Sequence, residues 1–259
     1  MSDYLNTLFG LTGKTVLVTG GGTGIGREAA LSFAKAGAKV AVIGRRVEKL
    51  AETVDAIEAT GGKALAVAMD VVDPGSISAG LETITADLGI VDILINNAGV
   101  ESVHTLLHTS EEEWDHVMGI NLKGPWQLAK ELLEGWSKES RGGNIVNIGS
   151  ITGLAPQKGL ASYAVSKAAI LHMTKIMALE WAQYGVRVNA IAQGYYRTDM
   201  TEQFLDLPFG QKLIKNIPMR RPGNLPELMG AMIYLASDAS SYVTGTTLVV
   251  DGGHLVRSL

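Results

Sequence analysis

The sequence predicts an α/β fold, a doubly wound parallel sheet of about seven strands with helices on both faces. Short apolar runs alternate with longer segments in which apolar residues recur at helical spacing. These runs are apolar throughout rather than at every second position, as strands covered on both faces require. No linker rich in proline or serine divides the 259 residues, so we predict one domain over residues 1–259.

The predicted strands are the apolar runs at residues 14–19, 39–43, 64–69, 91–95, 144–148, 186–191 and 246–250. The predicted helices are amphipathic or apolar segments at 25–36, 46–59, from about 74, 114–136 and 161–181. The last two are apolar on almost every side, which indicates burial against several neighbours or another subunit. Residues 195–226 are irregular but rich in proline and aromatic side chains, and we expect an ordered substrate-binding lid there.

Composition and charge argue against several functions. The formal net charge of −4 argues against binding to a nucleic-acid backbone. Because the chain has no cysteine, disulfides, thiolate nucleophiles and cysteine-ligated metals are excluded. His104 and His108 have a spacing that suits a metal, but no HExxH pattern accompanies them, and we predict no metal site. With no membrane-length apolar run and no basic amino terminus, the protein is expected to be soluble, cytoplasmic and not membrane-bound.

A glycine-rich turn follows the first predicted strand. Residues 19–26 read Thr-Gly-Gly-Gly-Thr-Gly-Ile-Gly and lead directly into an amphipathic segment. Free backbone N–H groups and the helix dipole make such a helix start favourable for a phosphate, and glycine lets a pyrophosphate approach the backbone closely. A flexible turn has the same composition, but the position between the first strand and the first helix favours a dinucleotide site.

The spacing Thr-Gly-x-x-x-Gly-Ile-Gly resembles that of the short-chain dehydrogenase/reductase family. Further matches are Asp70 after the third strand, Asn96-Asn97-Ala98-Gly99 after the fourth, and Asp251-Gly252-Gly253 near the carboxyl end. The resemblance is to single-domain Rossmann-fold members, similar to 3-oxoacyl-carrier-protein reductases and gluconate 5-dehydrogenases. It implies a dinucleotide bound by the following residues: Gly20, Gly22, Thr23, Gly24, Ile25, Gly26, Arg45, Arg46, Asp70, Val71, Asn97, Ala98, Gly99, Tyr163, Lys167, Gly194 and Thr198.

The residues after the second strand predict NADP(H) rather than NAD(H) as the cofactor. An NAD enzyme usually has Asp or Glu there to bind the ribose 2′-hydroxyl. This chain has Gly44-Arg45-Arg46 instead. Gly44 removes the carboxylate that would repel a 2′-phosphate, and the guanidinium of Arg45 can bind one. The alternative is that both arginines only begin a solvated helix.

A tyrosine and a lysine are the predicted catalytic residues. Tyr163 and Lys167 are four residues apart in a helical segment, so their side chains lie on one face. Because a nearby ammonium favours the phenolate, we expect Lys167 to lower the pKa of Tyr163 from about 10 toward the working range. In the resembled family, a serine at the place of Ser150 and an asparagine at the place of Asn121 complete a catalytic tetrad.

The resemblance implies hydride transfer between the nicotinamide and an alcohol or ketone, with Tyr163 as general acid/base. Ser150 would stabilise charge on the substrate oxygen. Lys167 would also bind the nicotinamide ribose, and Asn121 would hold a proton-relaying water. The sequence supports two alternative functions less well. Sugar-nucleotide epimerases share the Tyr-x-x-x-Lys chemistry but usually need a longer chain, and a non-catalytic dinucleotide-binding sensor or scaffold commonly lacks a catalytic residue.

Several points stay open in the sequence. The family usually has Pro-Gly after the sixth strand, whereas this chain has Gln193-Gly194, and Gln193 either contacts substrate or faces solvent. The substrate is a β-ketoacyl thioester, a sugar or polyol, a steroid or a small ketone. Family members form dimers through the two long helices and tetramers through the carboxy-terminal region, which implies a homotetramer. The lid cations either receive an acidic substrate or are solvated: Lys212, Lys215, Arg220 and Arg221.

Overall fold

This computed structural model describes residues 3–198 and 201–256. Within them, seven parallel strands form one sheet in the order β3-β2-β1-β4-β5-β6-β7. Each neighbouring pair is parallel. The predicted doubly wound sheet is confirmed, and each predicted run coincides with a strand to within a few residues. The strands are β1 (Thr15–Thr19), β2 (Lys39–Gly44), β3 (Lys63–Ala68), β4 (Ile93–Asn96), β5 (Asn144–Ser150), β6 (Arg187–Gln193) and β7 (Thr247–Val250).

Helices connect the strands and cover the sheet. In the described part of the chain they are α1 (Asp3–Phe9), α2 (Gly24–Lys35), α3 (Val47–Glu58), α4 (Pro74–Leu88), α5 (Glu111–Met118), α6 (Gly124–Lys138), α7 (Ala161–Trp181), α8 (Glu202–Asp206), α9 (Pro208–Asn216) and α10 (Leu225–Ala236). The segment predicted as one helix at 114–136 is α5 and α6 joined by a π-helical turn, Gly119–Lys123. It begins at Glu111 because the hydroxyl of Ser110 accepts a hydrogen bond from the backbone N–H of Glu113 (3.2 Å).

Two hydrophobic layers lie on opposite faces of the sheet. Val16 and Val18 of β1 pack into the layer beneath α2, α3 and α10, which includes Phe33. Leu17, between them, packs into the layer beneath α4, α6 and α7, which includes Trp136. Successive strand residues point to opposite faces, so a continuous apolar run serves both layers. The continuous apolar character of the predicted strands is therefore explained by helices on both faces.

The strand order changes direction at β1. β2 and β3 lie on one side of β1, whereas β4 to β7 lie on the other. The loops that leave the carboxyl ends of β1 and β4 therefore run to different sides, and a crevice opens between them. In open α/β sheets, ligands bind in such a crevice outside the carboxyl ends of the strands.

The segment after β6 contains short helices and an aromatic cluster. Ring centroids of Tyr195 and Phe204 lie 6.4 Å apart, and those of Phe204 and Phe209 lie 5.9 Å apart. Residues 199–200 of the predicted lid lie outside the described residues, and the substrate-binding role of the lid stays a prediction. Among helices within 3–198 and 201–256, none combines the length and the apolar character that crossing a bilayer requires.

Candidate active site

The turn between β1 and α2 is so compact that it requires glycine. A Cβ atom on Gly26 would lie 2.2 Å from the backbone oxygen of Gly20 and 2.5 Å from Nδ2 of Asn97. Gly20 and Gly24 have φ values of +66° and +54°, which side chains other than glycine rarely adopt. Helix α2 begins at Gly24, directly after the turn. Its amino-terminal N–H groups therefore open onto the crevice, where they can bind a phosphate.

The crevice has a volume of about 460 Å³ and is lined by every residue predicted to bind the cofactor except Gly194. Gly194 faces β7 instead, because its backbone N–H donates to the carbonyl of Val250 (2.9 Å) and its Cβ position is 2.7 Å from the α-carbon of Asp251. Gln193 does line the crevice, and its buried Oε1 atom has no hydrogen-bond partner there. Of the two alternatives for Gln193, the structure therefore favours a position beside the ligand site.

Motif reasoning missed a further part of the wall. Several of these residues lie at or just beyond the carboxyl ends of strands, which meet at one edge of a parallel sheet, so strand ends alone could have indicated them. Glu101 lies beyond the Asn96–Gly99 motif and away from any strand end, so nothing in the sequence indicated it. The residues are Ile43, Lys49, Leu50, Met69, Val100, Glu101, Ile120 and Ile148.

The ends of β1 and β4 are joined by hydrogen bonds. The hydroxyl oxygen of Thr19 accepts from the backbone N–H groups of Asn97 (2.9 Å) and Ala98 (2.7 Å). In return, the side-chain amide of Asn97 donates to the carbonyl of Thr19 (2.9 Å). These bonds fix the two loops that form opposite walls of the crevice. The shape of the crevice therefore depends on both the glycine turn and the Asn96–Gly99 motif.

Positive side chains gather at the end of the crevice beyond β2. Arg45 and Arg46 are exposed there, and Nη2 of Arg46 donates to the hydroxyl of Thr23 in the glycine turn (3.0 Å). Lys49 also lines this end and pairs with Glu52 (2.6 Å). Neither arginine has an ion-pair partner within the described residues. Both guanidinium groups are therefore available to an anion next to the glycine turn.

The structure brings together Ser150, Tyr163 and Lys167. Ser150 is the last residue of β5, and the other two lie in the first turns of α7. Ser150 lies close enough to the Tyr163 hydroxyl to act on it, and this interaction lowers the pKa of the tyrosine. The ammonium of Lys167 lies 5.6 Å from the ring centroid of Tyr163 and donates to the carbonyl of Ile148 in β5 (2.8 Å). Helix α7 is thus tied to β5 at the point where the serine leaves the sheet.

Asn121 lies behind this group, in the π-helical turn. Its amide nitrogen donates to the carbonyl of Val100 (2.8 Å) and to the hydroxyl of Ser166 (3.0 Å), while its amide oxygen accepts from the N–H of Val100 (2.9 Å). Ser166 donates in turn to the carbonyl of Tyr163 (2.7 Å). Both amide hydrogens are therefore used inside the protein, and π-helical turns of this kind are frequent at functional sites. The water-holding role of Asn121 stays a prediction.

The prediction that Lys167 lowers the pKa of Tyr163 is wrong for this structure. Burial raises the pKa of Tyr163 to about 12, and the charge of Glu101 adds to the rise, whereas the hydrogen bond from Ser150 opposes it. Burial also lowers the pKa of Lys167 to about 8. The physical reason is desolvation, which disfavours the charged form of each group and which sequence spacing does not reveal.

Ion pairs fix several cations of the predicted lid. Arg221 binds Glu227 through both guanidinium nitrogens (2.6 and 2.7 Å), and Arg197 pairs with Asp206 (3.2 Å). The guanidinium of Arg220 donates to the carbonyl of Lys215. These groups are held by neighbouring protein atoms. Within residues 3–198 and 201–256, no group of three His, Cys, Asp or Glu side chains could hold a metal ion.

Three comparisons place these features among known proteins. A family model described as "Enoyl-(Acyl carrier protein) reductase" matches residues 20–254. The 2-dehydro-3-deoxy-D-gluconate 5-dehydrogenase of Dickeya dadantii is 37% identical over 98% of this chain and 99% of that protein. The gluconate 5-dehydrogenase of Gluconobacter oxydans is 38% identical over 95% of this chain and 96% of that protein. A solved gluconate 5-dehydrogenase of Burkholderia cenocepacia, in complex with NADP and tartrate, has a TM-score of 0.93 and 34% identity, with coverage of 98% of this chain and 99% of that one.

Proposed function

Because this chain belongs to the short-chain dehydrogenase/reductase family and is an oxidoreductase, we propose that it transfers hydride between NADP(H) and a small alcohol or ketone. The observation that carries the proposal is that Ser150, Tyr163 and Lys167 lie together next to the glycine-turn crevice. A non-catalytic sensor has less support, since the similar proteins are named as dehydrogenases.

The residues present fit a dinucleotide with a 2′-phosphate. The turn at Gly20–Gly26 is too tight for any Cβ atom at Gly26, which leaves backbone N–H groups open to a pyrophosphate. Arg45 and Arg46 lie at the end of the crevice beyond β2, where a carboxylate would select NAD(H). The similar gluconate 5-dehydrogenase of Burkholderia cenocepacia was solved with NADP. Asp70, which also lines the crevice, is suited to the adenine end.

The dinucleotide, when bound, supplies or accepts the hydride. Tyr163 supplies the proton to the substrate oxygen in reduction and removes it in oxidation. Ser150 accepts hydrogen bonds from the N–H and the hydroxyl of Thr152 (3.1 and 2.9 Å), which leaves its single proton free to be donated to a substrate oxygen. The developing negative charge on the substrate oxygen is thereby stabilised by a donor that is already in place.

Lys167 is proposed to help Tyr163 release its hydroxyl proton. Its ammonium is buried against β5, and a bound ribose near Tyr163 would give it a further oxygen acceptor. Acceptors raise the pKa of a buried lysine, and the ammonium then stabilises the phenolate that forms when Tyr163 gives up its proton.

A polyhydroxy acid is the substrate class that the comparisons support best. The two relatives reported above are named for gluconate and for 2-dehydro-3-deoxy-D-gluconate. The description of the family model names an acyl-carrier-protein reductase, but the two relatives are both named for sugar acids, and no comparison reported above is named for a steroid.

Exposed apolar side chains support the proposed homotetramer. Trp126 of α6 and Ile176 of α7 are 42% and 44% exposed, and Leu179 of α7 is 83% exposed. Tyr242, before β7, is fully exposed. Large apolar side chains gathered on neighbouring helices indicate a protein interface. Sedimentation at micromolar concentration measures the mass, and a single-subunit mass contradicts the tetramer.

The cytoplasmic location stays a prediction, which cell fractionation tests.

The experiment for the activity is a paired cofactor assay. NADPH consumption is followed with a panel of sugar-acid ketones and neutral ketones, and NADP⁺ reduction is followed with the corresponding alcohols. Turnover of at least one alcohol/ketone pair in both directions, with NADP(H) preferred over NAD(H), is the expected result. Absence of turnover with every pair and both cofactors contradicts the proposed function.

A further inference from the structure

A second cavity lies beside the catalytic serine, between the turn that follows β5, helix α9 and residues 254–255. Its volume is about 320 Å³. The hydroxyl of Thr152, on its wall, donates to the hydroxyl oxygen of Ser150 (2.9 Å), so the cavity adjoins the reacting centre. Its wall combines the polar side chains of Thr152, Gln157, Lys212 and Asn216 with apolar ones that include Phe209 and Leu213.

Tyr195 contacts the wall of this cavity and is close enough to the crevice for the charge of Glu101 to act on it. Its hydroxyl donates to the amide oxygen of Gln157, and its ring centroid lies 5.7 Å from that of His254, another residue of the cavity wall. Glu101 lies on the crevice side, and its charge acts on both Tyr195 and Tyr163. The two sides of Tyr195 therefore differ in charge, with a carboxylate on the crevice side.

Lys212 is the cation of the cavity. It extends from α9, and no Asp or Glu side chain shares the wall. Arg221 is paired with Glu227, and neither it nor Lys215 or Arg220 lines the cavity. Lys212 itself has no ion-pair or hydrogen-bond partner among the described residues. Lys212 is exposed to solvent, and an exposed cation without a partner on the wall of a concave, partly apolar cavity is suited to an anionic group of a ligand.

We propose that Lys212 binds the carboxylate of an acid substrate whose reacting carbon lies at Ser150 and Tyr163. This inference rests on the proposed function and assigns the polarity of the substrate within it. The acid end lies under the lid, beyond Thr152, and Glu101 repels it from the crevice side. An attractive charge at one end and a repulsive charge at the other fix a single orientation.

The orientation has a consequence for the position of reaction. Because Thr152 separates Ser150 from the cavity, the reacting carbon is remote from the acid carbon rather than adjacent to it. A linear hydroxy acid that fills both spaces is therefore oxidised near its far end. The similar proteins named above are 5-dehydrogenases, and their names place the reaction at such a carbon.

Binding to the NADPH-loaded enzyme tests the proposal without turnover. D-gluconate is titrated by calorimetry into the wild type, Lys212→Gln, Lys212→Arg and the matched control Lys215→Gln, whose changed lysine lies on the same helix outside the cavity. Loss of a charge-assisted hydrogen bond should raise the Kd of Lys212→Gln by about 10-fold or more. Lys212→Arg should restore most of the affinity, and Lys215→Gln should bind like the wild type.

The neutral polyol D-glucitol, which lacks the carboxylate, separates charge recognition from general damage to the cavity. The ratio of gluconate affinity to glucitol affinity should fall in Lys212→Gln and stay constant in Lys215→Gln. Three results overturn the proposal: an unchanged ratio in Lys212→Gln, an equal loss in both variants, or no gluconate binding to the wild type. The proposed function is judged separately, by turnover in the carbonyl panel, so an active enzyme with an unchanged ratio refutes only the role of Lys212.

Discussion

The ammonium of Lys167 lies 5.6 Å from the ring centroid of Tyr163 while it donates to the carbonyl of Ile148. The lysine is therefore anchored to the sheet and faces the tyrosine from a fixed position. Both groups are shifted by burial toward their neutral forms, with the pKa of Tyr163 raised to about 12 and that of Lys167 lowered to about 8. At neutral pH, Tyr163 is therefore a neutral phenol beside a lysine that is still largely an ammonium, and the state of each group can be tested separately.

Replacing Tyr163 by Phe should abolish proton transfer and leave the fold intact. The change removes one hydroxyl group and keeps the ring that packs beside Lys167. We expect kcat/KM to fall by about a thousandfold or more, because general acid/base catalysis contributes on that order. NADPH binding, followed by fluorescence titration, should stay within about threefold of the wild type. The matched control is Tyr184→Phe, at an exposed tyrosine far along the chain; near-wild-type turnover in Tyr163→Phe contradicts the assignment.

The buried lysine should make stability depend on pH. Its pKa falls from 10.5 in the unfolded chain to about 8 in the folded protein, so the unfolded state binds more protons between these values. The free energy of unfolding therefore rises with pH in this window, by at most about 1.4 kcal/mol per pH unit. Tyr163 contributes with the opposite sign above its ordinary value of 10.0, so the measurement is made below that pH.

Urea unfolding of the apo protein at about pH 8 and about pH 9 measures this contribution. The wild type should gain stability relative to Lys167→Met as the pH rises, because methionine fills the same space without a titrating group. Lys175→Met, in the same helix, serves as the control for an ordinary lysine. A constant stability difference between wild type and Lys167→Met over this range would show that the ammonium is not destabilised by burial.

Glu101 should set the pH at which the alcohol is oxidised. Its negative charge raises the pKa of Tyr163, so Glu101→Gln should lower that pKa. The rising limb of kcat/KM for alcohol oxidation should then move to lower pH by less than about one unit. Glu111→Gln, at the start of α5, is the surface control and should leave the profile in place. A shift to higher pH in Glu101→Gln contradicts the electrostatic role.

Arg45 should decide which dinucleotide is preferred. In Arg45→Asp, a carboxylate replaces the guanidinium at the place where NAD enzymes bind the ribose hydroxyls. The KM for NADP⁺ should rise by about 10- to 100-fold, as expected for loss of a charge-assisted hydrogen bond, while the KM for NAD⁺ falls. Lys35→Asp, in the last turn of α2, makes the same charge change away from the crevice. Unchanged Michaelis constants for both cofactors would refute the assignment.

The sequence predicted the strands and the helical placement of Tyr163 and Lys167, because these depend on residues close together in the chain. The apolar runs located the strands because a strand buried on both faces has no other composition, and the four-residue spacing of Tyr163 and Lys167 placed them on one face of α7. The pKa shift of Tyr163 was not predictable, because it comes from burial in the assembled fold and from the charge of Glu101, which is distant in sequence. The pairing of Arg221 with Glu227 similarly depends on how the chain turns before α10.

The side-chain role of Asn121 illustrates the same limit. The family pattern indicated the residue, but its hydrogen bonds to Val100 and Ser166 depend on a π-helical turn that inserts an extra residue between α5 and α6. Helical periodicity cannot reveal such a turn, because it averages over the whole segment. The sequence therefore identified which residues meet, whereas their protonation and their partners required the assembled sheet.

The glycine turn offers the sharpest test of the crevice itself. In Gly26→Ala the new Cβ atom would meet the backbone oxygen of Gly20 at 2.2 Å, and a backbone atom cannot move aside as a flexible side chain can. We expect lower thermal stability and NADPH binding weakened by about 10-fold or more, since the phosphate site is built on this turn. Gly230→Ala is the matched control, because Gly230 lies in α10 with no atom within 4 Å of its Cβ position. That change should raise the free energy of unfolding by up to about 1 kcal/mol, because alanine favours a helix more than glycine does. If Gly26→Ala binds NADPH like the wild type, the close packing of the turn is not what holds the dinucleotide.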